Sequence, residues 1–121
     1  MKPEAFSPPD FSVLRLISKG SSALAVRHLT VYLQESSECY QEVLDAKSPA
    51  LLHDAVHRLF SFACVLKVET LMAACKNLEN EAMRLTKNRQ KELTEALDSQ
   101  MQGLKRAIAL KIQAFEAGET P

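Results

Sequence analysis

The sequence predicts an all-α fold, an up-down antiparallel four-helix bundle with a short additional N-terminal helix. Three observations predict it. Only 3 Gly occur in 121 residues, and every Pro except Pro49 lies in the first nine residues or at position 121, so the chain between carries almost no helix breakers. Apolar residues recur at three- and four-residue steps, the period of a helix face. The breaks between these periodic stretches are short and carry capping residues, which makes consecutive helices antiparallel neighbours.

Residues 1–9 are Pro-rich and read as a flexible N-terminal arm, leaving 10–117 as one helical domain. Asp10 is placed to cap a short helix over about 10–18, with Phe11, Leu14 and Ile17 on one face. Lys19-Gly20-Ser21-Ser22 is a stop followed by a new N-cap. A second helix then runs from about Ser22 to Ala46, its inner face drawn from Val26, Leu29, Leu33, Tyr40, Val43 and Leu44. Ser48 caps a third helix over about 49–66, and Pro49 takes its first position, where a missing N–H costs nothing. The fourth is expected over about 68–86, with Leu71, Cys75, Leu78, Ala82 and Leu85 along its seam. Asn88 is placed to cap the fifth, about 89–117, whose seam is Leu93, Leu97, Met101 or Gln100, Leu104, Ile108 and Phe115. Gly103 sits inside that last helix and weakens it by up to ~1 kcal/mol relative to Ala.

Composition narrows the function classes. Fifteen basic and fifteen acidic residues cancel to a formal charge of +0, and no basic stripe suits a phosphate backbone, so nucleic acid is not an expected partner. No 18-residue apolar run is present, which argues against a membrane span. Met1-Lys2-Pro3-Glu4 has no apolar core of a signal peptide. Cys39, Cys64 and Cys75 are too widely spaced for a disulfide framework or a zinc site, so a reduced cytoplasmic setting is expected. Of the three, Cys75 belongs to a core seam, and Cys64 is expected to be exposed and open to oxidation.

The third helix carries the chemical signal. With successive residues 100° apart, Leu52, Ala55, Leu59, Phe62, Ala63 and Leu66 all fall within about 60° of the direction opposite His57. They form the core stripe, and His57 faces solvent. Ala50, His53, Asp54, Ser61 and Cys64 share its side, with Phe60 at the edge. A solvent-facing His is by itself an ordinary surface residue. Small and apolar neighbours make this one the centre of a docking surface. A neutral imidazole, with an unperturbed pKa of about 6.5, is a nucleophile near pH 7. His53 lies one turn earlier, and an i, i+4 His pair is able to grip a metal, but no Glu follows His53 in the metalloprotease pattern and no third ligand is evident, so no metal is expected. His53 and Asp54 instead border His57 and tune its hydrogen bonding.

These residues resemble the phosphorylated helix of histidine-containing phosphotransfer (HPt) domains. His57-Arg58-Leu59, the small Ser61 and Ala63 match a pattern of His, any residue, Leu, Lys, Gly, Ser, then Ser or Ala. Leu71, Cys75 and Leu78-Glu79 follow at the family's spacing, and Val13-Leu14, the Gly20-Ser21 break, Leu29, Tyr32 and Leu33 fit its N-terminal half. The likeness spans about 10–115. The chain departs from the pattern at Phe60 where the family has Lys, at Ser61 where it has Gly, and at Lys67 where it has Gly ten residues after the His.

The resemblance implies a phosphorelay carrier that shuttles a phosphoryl group between receiver-domain aspartates through His57. It implies receiver domains of response regulators and hybrid sensor kinases as partners. It implies no cofactor of its own, the Mg²⁺ being supplied by the partner receiver. No Gly-rich nucleotide loop is present, so no autokinase activity is expected. Arg58, Phe60, Ser61 and Cys64 join His53 and Asp54 as supporting or docking residues. Arg58 lies about 100° round the helix and reaches a phosphoryl group only by bending over. Ser61 has a hydroxyl able to donate to one. The alternative is a degenerate module that docks on a receiver or kinase and regulates it without chemistry. A third reading, an adaptor that dimerises through Leu93, Leu97, Leu104 and Ile108, competes with use of that stripe in the bundle's own core, and a monomer is expected.

Overall fold

A computed structural model of the chain describes residues 5–121. Those residues form α1 (Val13–Ile17), α2 (Ser22–Asp45), α3 (Pro49–Val65), α4 (Glu69–Glu81), a 3₁₀ turn (Ala82–Arg84) and α5 (Lys87–Glu116), with no strand among them. Side-chain oxygens cap three of the starts. Ser21 Oγ accepts from Leu24 N, Ser48 Oγ from Leu51 N, and Thr86 Oγ1 from Arg89 N. Each satisfies one N–H that the first turn would leave open.

α2 packs on α3 and α5, and α4 packs on the same two helices, so the four close a ring around one core while α1 lies on α2. Leu29, Leu59, Leu71, Leu78, Leu97, Leu104 and Ile108 are fully buried there. The fifth-helix stripe of Leu93, Leu97, Leu104 and Ile108 is therefore inside the bundle. Tyr40 Oη ties α2 to α5 by donating to Asp98 Oδ1 at 2.9 Å.

The ends of α3 and α1 share one device. Lys67 N bonds Cys64 O and Val68 N bonds Ala63 O, the paired bonds of a Schellman cap, and Lys67 takes the left-handed conformation at φ 51°. Lys19 does the same after α1, at φ 53°. The stop read in Lys19-Gly20 is thus built on both residues, Gly20 also standing at positive φ, 78°.

Several elements differ from expectation. α1 spans five residues rather than nine. Asp10 does not cap it; Oδ1 accepts from Ser12 N in a turn before the helix, and Ile17 is exposed. Leu44 is exposed as well, because the ring of neighbours takes Cys39, Tyr40 and Val43 instead. α4 stops at Glu81 and tightens into 3₁₀, which leaves Leu85 outside it in extended backbone. Thr86, not Asn88, caps α5, since the extended chain at Thr86 presents its hydroxyl to the first turn.

Of the arm expected over 1–9, residues 1–4 lie outside the described residues. From Phe6 on, the chain is fastened to the bundle. Ser7 and Thr70 exchange bonds, Ser7 N to Thr70 Oγ1 at 2.9 Å and Thr70 N to Ser7 Oγ at 3.1 Å. Thr70 Oγ1 donates on to Gln100 Oε1, and Asp10 N bonds Leu66 O. The Phe6 ring lies over Gly103, where a Cβ would meet its Cγ at 2.5 Å. Gly103 is therefore the opening in α5 that admits Phe6.

Candidate functional site

The register of α3 decides which way His57 points. Leu52, Ala55, Val56, Leu59 and Ala63 are all turned into the core, and this stripe carries the face of His57 outward, leaving its side chain 59% exposed. Val56 joins the stripe, and Phe62 is only part-buried at its edge, its ring set edge-on to Tyr32.

α4 runs alongside and packs Leu71, Cys75 and Leu78 against the same core. The edge of that seam carries Lys76 and Glu79, three residues apart on one helix side. Glu79 reaches α3. Its Oε1 lies 3.2 Å from His57 Nδ1 and 3.6 Å from His53 Nε2, so one carboxylate oxygen serves both imidazoles. The two rings are parallel to within 2°, their centroids 6.5 Å apart. The Glu79 side chain is only 12% exposed. Its Oε2 is buried without a hydrogen-bond partner among the described residues, and Lys76 Nζ stands 3.6 Å from it. Burial pushes the Glu79 carboxyl pKa up. The His57 hydrogen bond and the charge of Lys76 outweigh that and hold it below the ordinary value of 4.5, so it is ionised at neutral pH.

An ionised carboxylate cannot donate, so the bond to His57 requires a proton on Nδ1. In the neutral ring the lone pair then falls on Nε2, in a side chain that is 59% exposed. The arrangement is an oriented, accessible imidazole nucleophile with an anion behind it.

The remaining residues of the expected site divide. His53 joins the cluster directly. Asp54 is exposed and lies 3.7 Å from His53 Nδ1, one step removed from His57. Phe60 is part-buried and carries Lys76 Nζ 4.5 Å above its ring centroid. Ser61 sits on the exposed side, but its hydroxyl donates back to His57 O at 3.3 Å, one turn earlier in the helix. Cys64 is part-exposed. Arg58 is turned away. Its guanidinium pairs with Glu42 on α2.

Glu79 enters the sequence pattern only through a Leu-Glu match, and no motif marks Lys76. The available signal was their place at the margin of the Leu71, Cys75, Leu78 seam, where a polar residue borders whatever helix the seam covers. Among the described residues no group of three or more His, Cys, Asp or Glu is placed to hold a metal ion. Cys75 is locked in the core, where burial pushes its thiol up to about 12. An open depression of about 600 Å³ lies between α2 and α5, lined by Tyr40, Lys87, Lys91 and Asp98 among others, and shares no residue with the His57 cluster. No helix among the described residues is long and apolar enough to cross a membrane. No protein-family model, curated protein or solved structure matches this chain.

Proposed function

We propose that this chain is a histidine phosphotransfer protein that takes a phosphoryl group from a receiver-domain aspartyl phosphate onto His57 Nε2 and passes it to a second receiver aspartate. The observation that carries the reading is the His57–Glu79 pair. In the forward step the Nε2 lone pair forms the N–P bond, and the O–P bond of the acyl phosphate breaks, its electron pair leaving on the receiver carboxylate. Positive charge grows on the ring as the N–P bond forms. The Nδ1 proton stays in place, hydrogen-bonded to Glu79, which stabilises that charge. The receiver supplies Mg²⁺, and the reverse of the same step unloads the group onto the next aspartate.

A closed ring of four helices with connections of a few residues supports an up-down antiparallel bundle as the scaffold. An exposed His on a rigid helix, rather than in a pocket, suits a nucleophile that must enter another protein's active site. The part-apolar patch of Phe60 and Cys64 beside it is the proposed receiver footprint.

Phosphoramidate, a small N-phosphoryl donor, tests the chemistry without a known partner. Incubation of the full chain should give an acid-labile phosphohistidine resonance by ³¹P NMR, lost in His57→Gln. Equal labelling of His57→Gln would sink the proposal. The hydroxyl of Ser61, spent on the helix backbone, and Phe60 in place of a cation favour the second reading, a docking module without chemistry. It predicts receiver binding that survives His57→Gln, collapses on Phe60→Asp, and is never accompanied by phosphohistidine.

A further inference from the structure

A phosphoryl group on His57 Nε2 brings a charge of about −1.5 to −2 onto the face where Glu79 already holds an ionised carboxylate. The ring, which keeps its Nδ1 proton, offsets one unit of this charge, and the remainder repels Glu79, so a second cation beside the phosphoryl oxygens stabilises the loaded state. The charged and titratable groups at the site are His53, Asp54, His57 and Cys64 from α3 and Lys76 and Glu79 from α4, with Arg58 of α3 turned away toward Glu42 of α2. Arg58 is engaged by Glu42. The other cation is Lys76.

Its ammonium already sits on the right patch. Lys76 Nζ lies 4.5 Å above the Phe60 ring, and Phe60 is three residues beyond His57, hence its neighbour on the helix surface. The same nitrogen is 3.6 Å from Glu79 Oε2, the carboxylate that holds His57. The side chain is 47% exposed, and its four-carbon stem is free to swing. Its present contacts are an aromatic face and an ion pair longer than a hydrogen bond, both weaker holds than a phosphoryl dianion offers.

We propose that Lys76 is the phosphoryl-binding cation of this site, leaving the Phe60 ring to pair with the phosphoryl oxygens once His57 is loaded. The inference rests on the phosphotransfer reading above. The move also bares the Phe60 ring, so loaded and empty faces differ in apolar surface as well as in charge.

The test uses the full chain treated with phosphoramidate. A ³¹P NMR titration reads the second ionisation of the phosphoryl group. A nearby cation favours the dianion and lowers this pKa. Lys76→Gln should raise it by roughly half a unit, while Lys76→Arg keeps the parent value. In the parent, the Lys76 ε-methylene protons, shifted upfield by the Phe60 ring, should move downfield on phosphorylation. An unchanged pKa in Lys76→Gln, or methylene signals that phosphorylation leaves in place, overturns the assignment of Lys76. Absence of any phosphohistidine resonance in the parent is a different result: it removes the phosphotransfer reading and this inference together.

Discussion

Glu79 is the residue on which the site turns. It fixes the proton on His57 Nδ1, and it does so as an anion in a mostly buried position. Glu79→Gln keeps the shape but offers an uncharged partner. A hydrogen bond to a charged group exceeds a neutral one by roughly 1 kcal/mol, so His57 labelling by phosphoramidate should slow about fivefold. An unchanged initial rate would show that the pair does not activate the ring. The same carboxyl also links stability to pH. Its folded pKa is below the ordinary 4.5, so it favours the folded state above that value, and the contribution fades as pH falls through the lowered folded pKa. Urea midpoints of the parent and Glu79→Gln should therefore differ at pH 6 and converge as the pH is taken well below 4.5. A gap that persists undiminished in acid would assign the effect to packing.

At the scale of elements, the α3–α4 junction decides how closely Glu79 approaches His57. The turn is made by Lys67 in the left-handed region, with Val68 buried behind it. A residue with a Cβ resists that conformation, by roughly 1 kcal/mol relative to Gly. The Lys67–Asp10 ion pair, 3.8 Å long and exposed, offsets little of this. Lys67→Gly should raise stability in urea by up to about 1 kcal/mol, and Lys67→Val should lower it. A Gly at this position would make the same turn without that steric cost. A fall in stability for Lys67→Gly would mean that its side-chain contacts outweigh the strain.

For the whole molecule, the strap from Phe6 to Asp10 binds α3, α4 and α5 together through Leu66 O, Thr70, Gln100 and Gly103. Gly103 in mid-helix is unfavourable by propensity, but its missing Cβ is the space the Phe6 ring occupies. The two positions should therefore be coupled. In a Phe6→Ala background Gly103→Ala should stabilise by up to about 1 kcal/mol, as helix propensity alone dictates. With Phe6 present the new methyl displaces the ring and that gain should vanish. Identical effects in both backgrounds, measured as a double-mutant cycle in urea, would show that strap and α5 are independent.

Local and periodic properties were legible in the sequence. Five helices, the caps at Ser21 and Ser48, the Pro49 start and the outward face of His57 all follow from residues within a few positions of one another, because cap bonds and the 3.6-residue period are local. Helix ends were less legible. Asp10 and Asn88 are good capping residues, but neighbours with equal side-chain chemistry compete, and the path of the incoming chain chooses between them. Only the tertiary structure decided which polar side chains meet. Glu79 is 22 residues from His57, and the contact exists because α4 packs on α3 in a register set by Leu59, Leu71, Cys75 and Leu78 together. Lys76 reaches Phe60 for the same reason. The ring of Phe6 finds Gly103 only when the bundle brings the two ends of the domain together. The sequence alone thus determined that an imidazole faces solvent on a rigid helix. The packing of the next helix against it determined which nitrogen is free and what charge stands beside it, since hydrogen bonds and Coulomb forces act across distances in space that sequence spacing does not encode.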